Sequence, residues 1–235
     1  MPLKRGVSID IGSNTTLFLV GDVDSRGKIT VVDEEQVSNG IGRDVFQYGK
    51  ISYETIERNL NILRNLTIYA SAIGAKEKII AGTSALRSAS NKDQFINKVE
   101  KTLEVRFIIL TGMQEDRLTY FGYLSGRTAI QGNILLADIG GGSSEFVFGN
   151  NGEIKESYSL VIGGRRLMVS CPLDDPPNRE KYRHLLSQIT KHLRIMKYNT
   201  LDDRQLIFSG GAATTLATLK QGLNSYDGDA IEAKR

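Results

Sequence analysis

The sequence predicts a mixed α/β protein whose second half is a shortened copy of its first. Three observations carry this. Residues 138–145 read DIGGGSSE after the apolar run NILLA, and residues 10–14 read DIGSN after GVSI and before TLFLVGDV. The same Asp-Ile-Gly turn between two strand-like runs therefore occurs twice. Each occurrence opens a stretch in which helical and strand-like patterns alternate, the mark of an α/β layer architecture. Glycine is abundant at 24 residues and proline scarce at 4, which argues for many tight turns rather than for disorder.

The elements follow in order. Residues 5–11 alternate in the β manner, and 17–24 and 28–37 continue as strands, with DSRGK as the turn of a hairpin. GIGRDVFQYGKIS reads as a loop. Ser52 is suited to cap a long helix with Glu54 in its first turn. Ile56, Leu60, Leu63, Thr67 and Ala70 recur at alternating spacings of four and three, and Gly74 is a suitable stop. EKIIAGTSA is a buried strand entering a small-residue loop. Residues 91–104 form an amphipathic helix through Phe95, Val99 and Leu103, VRFIILTG is a strand, and 113–126 is helical. The pattern then restarts. NILLADI, EFVFGN and EIKESYSL are short strands. Residues 178–198 are helical, with Tyr182, Leu185, Ile189, Leu193 and Met196 on one side. QLIFSGGAATTLATLK is a strand, a Gly-Gly turn and a helix start. Two domains are expected, 1–126 and 127–235, joined near 124–132 at LSGRTAIQG.

Composition narrows the function classes. With 235 residues, 40% hydrophobic and 24% charged, the chain has the balance of an ordinary globular protein with room for proper cores. The net charge of +3 accommodates an anionic ligand without the strong basicity of a nucleic-acid binder. The single Cys171 excludes an internal disulfide and a cysteine-only metal site. No run approaches the ~18 apolar residues of a membrane span, and MPLKRGVSIDIG does not read as a signal peptide. A cytoplasmic protein is expected.

The two Asp-Ile-Gly turns place a carboxylate at the end of a buried strand, followed by glycines whose amides can approach an anion. Ser13, Asn14, Ser143 and Ser144 add hydroxyl and amide donors. Two such loops facing each other would clasp a phosphate chain. Because phosphate and carboxylate repel, Asp10, Asp138 and Glu145 would then need a cation, and hard oxygen ligands beside a phosphate favour Mg²⁺. Glu145 equally fits a solvent-facing hairpin residue. In GTSALRSASN, Thr83, Ser84 and Arg87 fit an oxyanion clamp, or simply a helix cap with a surface arginine. Glu115, at a helix start, fits either a dipole-stabilising acid or a base that takes a proton from water. SGGAATT (209–215) is a third glycine turn before a helix, suited to an anion or to close packing. His184 and His192 read as ordinary helix residues. P-loop, CxxC and HExxH patterns are absent.

Taken together and in order, DIGSNT, GTSALRSASN, TGMQEDRLTYFGYL, DIGGGSSE and SGGAATTLA resemble the exopolyphosphatase/guanosine pentaphosphate phosphatase (Ppx/GppA) family of the actin, sugar kinase and Hsp70 superfamily. The resemblance runs from about residue 5 to about 219. It implies duplicated actin-like ATPase (ribonuclease H-like) domains with a cleft between them. It also implies hydrolysis of the terminal phosphate of polyphosphate or of the 5′ phosphate of guanosine pentaphosphate. Glu115 matches the family's catalytic glutamate. Ser13, Asn14, Thr83, Ser84, Arg87, Gly140, Gly141, Gly142, Ser143, Gly210, Gly211 and Ala212 match phosphate-binding positions, and Asp10, Asp138 and Glu145 match those that handle Mg²⁺ or another divalent cation. The expected partner is inorganic polyphosphate or guanosine pentaphosphate, with no membrane and no specific nucleic acid, and a homodimer is left open. The chain departs from the family pattern at Asp116, where alanine is usual, and in VSNGIG, which lacks an arginine. Its second domain is expected to be short at the C-terminus. A polyphosphate- or alarmone-binding sensor without catalysis, and an ATP-dependent kinase or ATPase of the superfamily, are the alternatives.

Overall fold

The computed structural model describes residues 3–125, 132–196, 204–225 and 228–231. The chain divides into two compact units, Met1–Gln114 and Glu115–Arg235. Residues 126–131 of the expected junction lie outside the described residues.

In the first unit, strands β1 (Lys4–Ile11), β2 (Thr15–Val23) and β3 (Ile29–Ser38) form an antiparallel meander. Helices α1 (Ile41–Tyr48) and α2 (Tyr53–Ala72) lead to β4 (Glu77–Gly82). Helices α3 (Ser84–Ser88) and α4 (Lys92–Leu103) then lead to β5 (Arg106–Ile109). The sheet order is β3-β2-β1-β4-β5, with β1, β4 and β5 parallel. The helical periodicity of residues 56–70 is borne out: Ile56, Leu60, Leu63, Thr67 and Ala70 are all buried. Ser52 caps α2 by accepting from the Thr55 amide at 3.2 Å. The stretch expected to be a loop at GIGRDVFQYGKIS instead holds α1. Glycines in left-handed conformation bound it on both sides, Gly40 and Gly49 at φ 71°. They make the segment look like a turn, yet Ile41 and Val45 between them are buried.

The second unit takes most of α5 (Gly112–Ser125), then β6 (Asn133–Ile139), β7 (Ser144–Asn150) and β8 (Glu153–Leu160). Helices α6 (Gly164–Ser170) and α7 (Arg179–Leu193) precede β9 (Arg204–Ser209), α8 (Gly210–Lys220) and α9 (Gly228–Ile231). Its sheet order is β8-β7-β6-β9, with β9 parallel to β6. Its core gathers Tyr120, Ile134, Leu136 and Val147.

The duplication extends to register. Asp10 faces Leu17 across β1–β2, and Asp138 faces Glu145 across β6–β7, at the same offset. Asp10 neighbours Ala81 on β4 as Asp138 neighbours Ser209 on β9. Even the register shift recurs, between Val20 and Gly21 in one unit and between Phe148 and Gly149 in the other, at the same distance from each aspartate. Gly149 at the second shift is required sterically. A Cβ there would lie 2.7 Å from Cε2 of Tyr120, which is fully buried.

Candidate functional site

Each Asp-Ile-Gly turn closes in the same way. The Gly12 amide donates to the Thr15 carbonyl at 3.0 Å, and the Gly140 amide to the Ser143 carbonyl at 3.1 Å. A Cβ on either glycine would meet that same carbonyl oxygen at 3.0 Å. The tight turn therefore favours glycine at the position after Ile in both units.

In the first unit, Ser13 is buried and its hydroxyl has no hydrogen-bond partner among the described residues. An orphaned buried hydroxyl costs free energy unless something satisfies it, so a polar ligand at this turn is chemically apt. Thr83 and Ser84 are buried where β4 enters α3. The Thr83 amide donates to the Ile11 carbonyl at 3.2 Å and its hydroxyl reaches the same oxygen at 3.4 Å, which holds the β4–α3 junction against the first turn. Thr83 makes no side-chain cap to α3. Arg87 is half-buried and donates Nη1 to the Leu110 carbonyl at 2.8 Å.

The second unit concentrates carboxylates. Glu145 is 3% exposed. Burial, the charge of Glu115 and the charge of Asp138, in that order of raising effect, push its carboxyl up to about 8, while the Ser143 and Ser159 hydroxyls pull the other way. Ser159 Oγ donates to Glu145 Oε1 at 3.0 Å. The hairpin reading of Glu145 is thereby corrected. It lies on β7, a strand buried on both faces. Asp138 is also raised, chiefly by burial, and the Ser209 hydroxyl beside it offsets part of the shift. Gly210, at φ 84°, closes over Asp138: a Cβ there would lie 2.5 Å from Asp138 Oδ1 and 2.7 Å from the Ile139 carbonyl oxygen. The third glycine turn is thus pressed against the second, with Gly210, Gly211 and Ala212 forming the first turn of α8. Ser144 has a structural partner, donating to the Ile162 carbonyl at 2.7 Å. Glu115, Asp138, Glu145, the Gly140–Ser143 loop and Gly210 thus belong to one neighbourhood in this unit. Asp10, Ser13, Asn14, Thr83, Ser84 and Arg87 belong to the first.

Sequence reasoning passed over the segments beneath the two loops. Gly42 follows β3, and its amide donates to the Ser13 carbonyl at 2.7 Å. Gly163 follows β8, and a Cβ on it would lie 2.6 Å from both the Gly141 carbonyl carbon and the Gly142 nitrogen. Asn39 and Arg166 stand beside these glycines and contact the loops directly. The available signal was that NGIG and GGRR both follow the third strand of a unit.

The family model of the Ppx/GppA phosphatases matches residues 19–235. The chain belongs to this family. This Ppx/GppA chain is 28% identical over 247 residues to exopolyphosphatase 2 of Mycobacterium tuberculosis, covering 100% of this chain and 76% of that protein. It is 30% identical over 237 residues to a bifunctional 3-dehydroquinate synthase/phosphatase of Fusobacterium nucleatum, covering 95% of this chain but only 35% of that protein. Among solved structures, a PPX-GPPA enzyme of Aquifex aeolicus superposes with a TM-score of 0.81 at 27% identity, over 99% of this chain and 76% of that one. The Ppx/GppA fold is the duplicated actin-like one, and the repeated registers of the two sheets are that duplication seen residue by residue.

Proposed function

We propose that this Ppx/GppA protein hydrolyses the terminal phosphoanhydride of inorganic polyphosphate or of guanosine pentaphosphate. The observation that carries the reading is the buried Glu145 paired with Asp138 across β6 and β7, beside a triple-glycine loop and close enough to Glu115 for its charge to be felt. Buried acids with raised pKa values next to an anion-ready loop are costly for stability and useful for chemistry. The donor set suits Mg²⁺, which takes one or two carboxylates and keeps several waters. Asp138 and Glu145, paired across β6 and β7, would hold the cation together with water. Bound there, the cation would neutralise charge on the phosphate oxygens.

The chain's own groups do the rest. The amides of Gly141, Gly142 and Ser143 receive phosphate oxygens. In the first unit Ser13, Asn14, Ser84 and Arg87 are the groups suited to receive phosphate oxygens. Glu115 orients water and takes its proton as the oxygen attacks phosphorus in line with the departing phosphate oxygen. Positioning and electrostatics dominate phosphoryl transfer, which fits a site built of loops and few acids. No described helix is long and apolar enough to cross a membrane.

The test is phosphate release from polyphosphate and guanosine pentaphosphate, with ATP alongside. Glu115→Gln should lower turnover by about 10²–10⁴-fold with little loss of substrate affinity. Near-normal turnover by a folded Glu115→Gln protein would remove the base, and preference for ATP would move the reading to a kinase or ATPase.

A further inference from the structure

Three consecutive glycines make a loop that is entropically expensive to hold in one conformation. Yet every carbonyl of the second loop is engaged. The Gly140 carbonyl accepts from the Gly164 amide at 3.0 Å, and the Gly141 carbonyl from the Arg166 amide at 3.0 Å. The Gly142 carbonyl accepts from Arg166 Nε at 2.9 Å, and the Ser143 carbonyl from the Gly140 amide. Among the described residues, nothing accepts from the amides of Gly141, Gly142 and Ser143. The first loop shows the same arrangement. Asn39 donates Nδ2 to the Gly12 carbonyl at 2.9 Å and its own amide to the Asn14 carbonyl at 2.9 Å, while Gly42 takes the Ser13 carbonyl. Two residues with unlike side chains thus do the same thing in the two units: each donates once from its backbone and once from its side chain to loop carbonyls.

We infer that Arg166 is a positioning residue: it fixes the peptide planes of Gly141 and Gly142 through Nε and its own amide, so that the loop's free amides are held ready for phosphate, as Asn39 does in the first loop. Nε of the guanidinium is the side-chain donor that carries this role. The inference rests on the phosphate-binding reading of the loop, but the orientation of the loop can be measured without it.

Side-chain lengths separate the two roles. In Arg166→Gln the amide nitrogen takes the place of Nε, which keeps the donor and removes the charge. In Arg166→Lys a methylene takes that place, which keeps the charge and removes the donor. Arg166→Met removes both. Two measurements are made on each full-length variant whose thermal melt shows it folded: ¹⁵N order parameters for Gly141, Gly142 and Ser143, and affinity for tripolyphosphate with Mg²⁺.

The expected result is a drop of the three order parameters from about 0.85 to below about 0.6 in the Lys and Met variants, with roughly tenfold weaker tripolyphosphate binding. The Gln variant should retain rigid amides and stay within about twofold of the parent's affinity. A Lys variant that behaves as the parent while Gln loses affinity would overturn the inference in favour of a charge contact. Unchanged order parameters in Lys and Met would overturn it outright. If the parent binds no tripolyphosphate, the phosphate reading fails, and the order parameters still decide whether Arg166 holds the loop.

Discussion

Gly163 and Gly164 are neighbours in sequence and opposites in surroundings. A Cβ on Gly163 would collide with the backbone of Gly141 and Gly142, whereas one on Gly164 meets nothing within 4 Å. Backbone cannot move aside as a flexible side chain can. Gly163→Ala should therefore cost about 1–3 kcal/mol, the range for overpacking, and weaken tripolyphosphate binding by displacing the loop. Gly164→Ala should leave both nearly unchanged, because alanine keeps the amide that Gly140 uses. Chemical denaturation and calorimetry on the pair check this, and equal behaviour of the two variants would mean the loop tolerates the shift. Glu145 supplies the second test at this scale. Burial and the neighbouring charges push its carboxyl up to about 8 without metal, against about 4.3 for an unperturbed glutamate. The folded state then holds a proton that the unfolded chain has released, so stability falls as pH rises from about 4.5 to about 8 and levels beyond. Glu145→Gln should abolish this part of the slope and raise the melting temperature above pH 7 in EDTA. Parallel melting curves for parent and variant across pH 5–9 would refute the burial of a titrating acid.

Helix α2 shows how an element start depends on a partner from another element. Ser52 accepts from the Thr55 amide, and its own amide and hydroxyl donate to Asp44 of α1, the hydroxyl at 2.5 Å. Burial pushes the Asp44 carboxyl up, but the Ser52 hydroxyl, Thr55, the Ser52 amide and the Arg43 charge outweigh it, so its pKa is lowered. Asp44 thus contributes stability above the unfolded pKa of about 3.9 and loses it as pH falls through the lower folded value. Ser52→Ala should cost about 1 kcal/mol as a lost cap, and Asp44→Asn should flatten the acid limb of the stability curve below pH 4. Urea titrations at pH 7 and pH 3 check both, and a Ser52→Ala variant as stable as the parent would make the cap dispensable. Capping at Ser52 was legible because a small hydroxyl before an apolar period is a local signal. The α1 helix was not legible, since its left-handed glycines at both ends imitate a loop and its burial against the first unit's core is not a local property.

Among the described residues the two units differ in the size of their continuous cores. The first gathers one continuous core from β1, β2, β4, β5 and helices α1 to α4. The second gathers Tyr120, Ile134, Leu136 and Val147, while α7 and α8 contribute no buried residue. Burial of apolar surface is the main favourable term in folding, so the second unit should open first and α7 before its sheet. Limited trypsin digestion should cut first after Arg179, Lys181 or Arg183, and hydrogen exchange should be faster throughout α7 than in α2. Protection of α7 equal to that of α2 would contradict the ordering.

The sequence alone carried the α/β class, the duplication, the Ppx/GppA resemblance and the two aspartate turns, because each is written in short-range patterns of alternation, glycine and charge. Tertiary structure decided the rest. That Glu145 is buried depends on both faces of β7 being covered, which the pattern along a single hairpin does not reveal. That Gly163, Arg166 and Asn39 hold the loops depends on third strands that return to the sheet edge and place distant residues beneath each turn. Hydrogen bonds of this kind join residues 24 or 27 positions apart in the chain, a separation at which local pattern carries no information and only the folded sheet brings donor to acceptor.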